Sequence, residues 1–207
     1  MLNKASHRHP DSSALQSEKL LTNQKRNHFF RELKAHYPRY YQLKYESPPP
    51  VLSSIQPLLD SGAWLVSYYS VNDYIQVFAI SRDSIMQWNT LLSDSLKNNI
   101  EHWKRQITNQ ELAEKASFSQ ESAIAYSRLT AELSDILLGP VYKQNPHQLY
   151  IVSDGILSGL PFGTLSISPG YQGNTQSFQD INYLVKTLII TYLPSANALL
   201  IPSHNSK

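Results

Sequence analysis

Hydrophobic and polar positions alternate with two different periods along this chain, and the switches between them outline its elements. From about Ser13 to Tyr37 the residues Leu15, Leu21, Phe29, Phe30, Leu33 and Tyr37 share one broad helical stripe, with Lys and Arg opposite, and Pro38 ends the run. The tyrosine-rich YYQLKY at 40–45 reads as a short strand. Pro48, Pro49 and Pro50 form a stiff extended connector. A short helix is expected from Val51 to Asp60, closed by Ser61 and Gly62.

The clearest local signal follows. AWLVSYYSV (63–71) and YIQVFAIS (74–81) are both rich in β-formers, and only Asn72 and Asp73 separate them, which predicts a two-residue hairpin. Both faces of the second run are largely apolar, so both should be covered. Over 85–107, Trp88, Leu91, Leu92, Leu96, Ile100, Trp103 and Ile107 fit one helix face, and 108–117 is a polar connector. A second helix is expected over 117–140. Ser119 caps it with Glu121 nearby, Tyr126, Leu129, Leu133 and Ile136 recur at spacings of three and four, and Gly139 and Pro140 stop it. QLYIVS (148–153) is a buried strand, 168–176 a loop, and 183–194 one or two strands. Ser195 is placed to cap a short helix beginning ANALL. No repeat of 20 to 50 residues occurs.

Composition narrows the class. The 207 residues are 41% hydrophobic and 16% charged, which supports a packed core. The net charge of +2 is unevenly spread. Residues 1–47 hold nine Lys/Arg against four Asp/Glu, and 48–207 hold nine against twelve. The basic arm is too sparse for a nucleic-acid footprint and reads as a solvated helix face. Zero cysteines exclude a disulfide framework, a thiolate metal site and a cysteine nucleophile within these residues. That suits the cytoplasm. No apolar run reaches the length of a membrane span, and the start lacks the apolar core of a secretory signal.

Residues 151–163, IVSDGILSGLPFG, pose the chemical question. A lipase-type elbow needs G-x-S-x-G, but GILSG (155–159) puts Ser158 one place late. A phosphate loop needs lysine after its glycines, and none follows. Gly155, Gly159 and Gly163 have the spacing of membrane helix packing, yet Asp154 and Pro161 interrupt it. Bend chemistry remains, with Leu157, Leu160 and Phe162 turned into a core. The histidines add little. His7 and His9 with Asp11 make a weak metal pattern in a tail, and His28 and His36 lie eight apart. His102 reads as a surface residue and His147 as a turn residue ahead of a strand. Glu111 and Glu114 read as a solvated face. No cofactor is called for.

Read together, LLGPVY (137–142), QLYIVSDGILSGLPFGTL (148–165) and YLVKTLIITYLPSANAL (183–199) resemble the first half of a CHAT domain, of the caspase- and separase-like proteins. That family's pattern is a helix ending in proline, a strand ending in Pro-Asp-Gly, a Leu-x-x-Leu-Pro-Phe turn, then Tyr-Leu and a strand ending in Pro-Ser-Ala. Asp154, Gly155, Leu157, Leu160, Pro161, Phe162, Leu165, Tyr183, Leu184, Tyr192, Pro194, Ser195 and Ala196 fall on it. Ser153 stands where the family usually has proline, and Gly163 where it usually has glutamate. The likeness covers roughly 118–200. HYPRYYQLKY and the hairpin also resemble the segment that commonly precedes the domain, after tetratricopeptide helices.

The resemblance implies an α/β fold: an incomplete caspase-like sandwich, its mixed sheet flanked by helices and preceded by an N-terminal helix and a hairpin. It divides the chain into a helical arm (1–47), a hairpin and helix lobe (48–117) and a partial CHAT domain (118–207). The family's His-Cys dyad sits in His-Gly and Ser-Ala-Cys motifs beyond the Pro-Ser-Ala block, and neither motif occurs in these residues. The expected function is therefore the non-catalytic portion of a CHAT-domain protein, inactive by itself, from a truncated or split frame. A stand-alone module that pairs with a catalytic or signalling protein is the alternative. Either way the expected partner is a protein, the missing CHAT half or a tetratricopeptide region, with no nucleic acid and no membrane. An enzyme of another type would have to use Asp154 or His147.

Overall fold

The computed structural model describes residues 12–108, 119–167 and 177–201. The expected tail up to residue 11, all of the connector expected over 108–117 except Thr108, and the loop at 168–176 lie outside them, as do His7, His9, Asp11, Glu111 and Glu114. The chain divides into two compact units, Met1–Pro48 and Pro49–Lys207.

In the first unit α1 spans Ser12–His36. Pro38 both ends it and opens the next turn. Tyr37 leaves the helical region at φ −133°, and Pro38 then starts α2, Pro38–Tyr41, which continues as a π-turn over Gln42–Glu46. The strand expected at 40–45 is therefore helical. A lone strand would leave its backbone unpaired. The helical turn instead puts Tyr41 and Tyr45 on one side, where both rings meet Phe30 at 6.2 and 5.1 Å. Lys34 pairs with Glu46 and lies over the Tyr41 ring. The expected α1 stripe is only partly covered: Phe30 and Leu33 are half-buried, while Leu15, Leu21, Phe29 and Tyr37 are exposed.

The second unit is α/β. A five-stranded mixed sheet runs in the order β3-β2-β1-β4-β5. Its strands are β1 (Ala63–Val71), β2 (Tyr74–Ile80), β3 (Ile85–Leu91), β4 (Gln148–Val152) and β5 (Ile189–Tyr192). The hairpin forms as expected, with Asn72 at φ +52° in its two-residue turn. β1 then pairs in parallel with β4, Ala63 opposite Gln148 through Ser67 opposite Val152, and β4 pairs in parallel with β5. The segments 48–117 and 118–207 thus share one sheet.

The helix expected over 85–107 is two elements. Residues 85–91 form β3, antiparallel to β2, and α4 spans Asp94–Thr108. Met86, Trp88 and Thr90 turn inward while Ile85, Gln87, Asn89 and Leu91 turn outward, the period of two that defines a strand. Ser93 marks the boundary, its Oγ accepting the Leu96 N–H at 3.2 Å. Trp88 and Leu91 had matched the helical stripe of Leu96, Ile100 and Trp103 only by their spacing.

Helix α5 spans Gln120–Tyr142, capped as expected by Ser119, whose side chain accepts from Ser122 N–H. It does not stop at Gly139 and Pro140. Proline lacks the N–H that would satisfy the carbonyl four residues earlier. That carbonyl, Ile136 C=O, instead accepts the indole N–H of Trp88 at 3.3 Å. A strand expected to be helix thus repairs the helix that the proline was expected to end.

α4 and α5 cover one sheet face, burying Val66, Tyr68, Ile75, Val77, Ala79, Leu149 and Ile151 against Ile100, Trp103, Leu133 and Leu137. The opposite face is covered only in part. There α3 (Leu52–Ile55) and the turn after it pack Ile55 and Leu59 on Ala63, Leu65 and Val152. Coverage of both faces of β2 is thus incomplete: Ile75, Val77 and Ala79 are buried, but Tyr74 is exposed and Gln76, Phe78 and Ile80 are half-buried. Over 183–194 the chain makes a 3-10 turn, Leu184–Lys186, and a single strand. Ser195 makes no side-chain cap bond, and Ala196–Leu200 is a 3-10 turn. Among the described residues, no helix is long and apolar enough to cross a membrane.

The proline repair predicts coupling. Trp88→Phe should cost about 1–2 kcal/mol by orphaning the Ile136 carbonyl. Pro140→Ala restores a backbone donor and should recover part of that loss. Urea midpoints of the two single variants and the double variant measure it, and strict additivity would contradict the repair.

Candidate functional site

The segment after β4 turns twice within a dozen residues. Asp154 is extended at φ −140°, Gly155 enters the left-handed region at φ +58°, and Gly155–Leu157 form a 3-10 turn. Glycine is needed at 155 for two reasons. Its φ disfavours any side chain, and a Cβ there would lie 2.0 Å from Ser70 Oγ at the end of β1. Gly159 also has positive φ, +75°, but a Cβ there would meet open space. Between and after these turns, Leu157, Leu160 and Phe162 are buried in the main core. Phe162 packs between Tyr68 and Trp103, with ring centroids 5.2 and 6.1 Å away.

Several polar groups around this corner hold it in place. Thr164 Oγ1 accepts from Trp103 Nε1–H at 3.0 Å and donates to Pro161 C=O at 2.9 Å. Tyr126 OH donates to Thr164 C=O at 3.3 Å. Ser166 Oγ donates to Ser127 C=O and lies 3.0 Å from Thr130 Oγ1. Gly163 N–H donates to the Tyr192 hydroxyl at 3.2 Å, tying the corner to β5. Tyr68 OH donates to Leu137 C=O, and its burial pushes the phenol well above its ordinary range. Burial also raises Tyr126, and raises Tyr183 to about 12 with a smaller contribution from Tyr126.

The sequence candidates are distributed by this geometry. Asp154, Ser195 and Ala196 lie at the carboxyl ends of β4 and β5, beside the end of β1. That is the edge at which open α/β sheets place ligands. Pro194 sits between β5 and the final turn. His147 lies at the other end of β4, its N–H bonded to Gly62 C=O and its own C=O to Ile189 N–H. Seven residues of extended chain separate it from Asp154, about 23 Å. His147 therefore cannot serve as base to Asp154 or Ser158. His36 and His102 have partners one turn away on their own helices, Glu32 and Gln106. Among the described residues, no three His, Asp or Glu side chains gather to hold a metal. The clamp of Trp103, Tyr126 and Thr164 was not legible from spacing, because its members lie 38 and 61 residues apart.

No protein-family model matches this chain, and no curated protein matches it significantly.

Gly159→Ala should cost about 1–2 kcal/mol for its backbone conformation alone. Gly155→Ala should cost more, through the added clash, and Ser70→Gly should return only the excess; urea midpoints rank the variants. The buried phenols set the alkaline limit. The unfolded chain ionises its tyrosines near pH 10, while those held above that range in the fold keep their protons. Stability is therefore intact below pH 10 and falls as pH rises towards 12, a trend that Tyr183→Phe should flatten in unfolding midpoints taken at pH 9, 10 and 11.

Proposed function

We propose that this chain is a non-catalytic scaffold portion of a CHAT-domain, caspase-like protein and is inactive by itself. The reading rests on the motif blocks from Leu137 to Leu199, and the parallel β1, β4 and β5 suit the sheet that such a scaffold requires. One observation carries the inactivity. The chain has no thiol, and the histidine nearest in sequence to the Asp154–Gly155 corner sits at the opposite end of β4. A thiolate–imidazole pair needs both groups within hydrogen-bond reach. In this reading Asp154, Gly155, Leu157, Leu160, Pro161 and Phe162 shape a bend. Pro194, Ser195 and Ala196 end a strand, and the reactive motifs are supplied by other sequence. A cytoplasmic setting suits a chain without cysteine.

A second reading, an interaction module that pairs with a catalytic or signalling protein, is favoured by the exposed apolar edge at β5, where Ile189 is 61% and Tyr192 48% exposed.

Purified chain incubated with denatured casein should generate no new peptide termini by mass spectrometry. Hydrolysis that persists through repurification would overturn the scaffold reading. Sequencing the coding frame past Lys207 separates the two readings. His-Gly and Ser-Ala-Cys motifs in frame support the first, and an intact gene that closes there supports the second.

A further inference from the structure

We propose that the open edge of β5 is a docking slot for one further parallel strand, uncharged and apolar on both faces, supplied by a partner protein. The inference gives a location to the partner in the reading above and rests on it. β5 is the last strand of the sheet order. Ile189 N–H and Leu193 N–H donate inward to His147 C=O and Ile151 C=O. Peptide groups alternate along a strand, so those of Ile190 and Tyr192 point to the open side.

Three observations describe what fits there. First, the edge lacks two of the usual protections: Ile-Ile-Thr-Tyr contains no charge and no proline. Second, apolar surface remains exposed on both faces. Tyr192 lies opposite Ile151 on the face covered by α5, and its hydroxyl meets the corner at Gly163. Val185, from the turn before β5, adds 62% exposed surface beside Gly163 and Ile190. Ile189 points to the opposite face. A strand apolar on one side only would leave one of these surfaces wet, whereas interior strands of parallel sheets are apolar on both. Third, the nearest cation is turned away. Lys186 Nζ donates to Gln179 C=O and Ile181 C=O, and it lies over the Tyr183 ring. An uncharged strand matches this uncharged edge, and a charged one would be desolvated without compensation. The other edge is mixed: β3 turns Gln87 and Asn89 to its outer face between exposed Ile85 and Leu91, and it is flanked by the charged Arg82 and Asp83.

The test attaches the probe to the full chain. A flexible Gly/Ser linker after Lys207 carries the octapeptide HQLYIVSD, the sequence of β4 with its flanks, which raises its effective concentration at the edge. Amide exchange at Ile190 and Tyr192 should slow at least tenfold relative to the untethered chain. Because the chain has no cysteine, one cysteine at the start of the probe takes a single nitroxide. That label should broaden the Leu188 and Ile189 amides more strongly than that of Leu193. Ile189→Lys, at an exposed position, should abolish the protection while leaving the urea midpoint unchanged. Four results would overturn the slot: no protection, equal protection in Ile189→Lys, broadening at Leu193 instead, or protection in the untethered chain that grows with dimer formation. The casein assay is independent of all four, so failure of the slot and failure of the scaffold reading are distinguishable.

Discussion

The parallel ladder between β1 and β4 is the constraint on which the second unit depends. Five residue pairs join segments more than eighty positions apart. The hairpin alone would be a marginal two-stranded ribbon. Pairing with β4 makes β1 an interior strand, and Ala63 through Tyr68 are accordingly buried on both faces. The ladder also aligns strand ends. It brings Ser70 against Gly155 and leaves that position room for a hydrogen alone. The corner is consequently a product of the sheet as much as of its own glycines.

Packing and polar pairing are hard to separate in this core. The aromatic residues supply much of the buried surface, and their polar ends donate to backbone carbonyls across the core: Trp88 to Ile136, Tyr68 to Leu137, Tyr126 to Thr164. Each bond crosses between the sheet or the corner and the helical layer. Such bonds fix the register of α5 on the sheet and the corner, because a shift of one residue would leave a donor and an acceptor unpaired inside. They also explain why the corner, rich in Ser, Thr and Gly, carries no evident reactive pair. The hydroxyls of Thr164 and Ser166 are occupied, and the histidine nearest in sequence, His147, is a strand-length away.

In the proposed reading, function rests on surface rather than on chemistry. The two ends of the sheet are unlike. β3 carries Gln87 and Asn89 between exposed Ile85 and Leu91 on its outer face, whereas β5 and the turn before it present exposed Ile189, Tyr192 and Val185. The residues that resemble a CHAT domain lie on the β4–β5 side of the sheet, next to that open edge. The corner tethers β5 through the Tyr192 hydroxyl.

Much of this was legible in the amino-acid order. The hairpin could be read because two β-rich runs flank Asn-Asp, the start of α5 because Ser119 precedes a long periodic stretch, and β4 because QLYIVS is short, apolar and bounded by polar residues. Local chemistry suffices for such elements, since their defining contacts lie within a few residues. The corner was likewise recognisable as a bend, since glycine and proline act through their own backbone. Other features were decided only in three dimensions. IMQWNTL became a strand because β2 offered an edge and α5 an acceptor for Trp88, although its spacing also suited a helix. YYQLKY became helical because that turn sets Tyr41 and Tyr45 against Phe30. Pro140 stayed within its helix because a distant indole replaced its missing donor. In each case the free energy comes from a partner remote along the chain, and periodicity carries no information about which remote groups will meet.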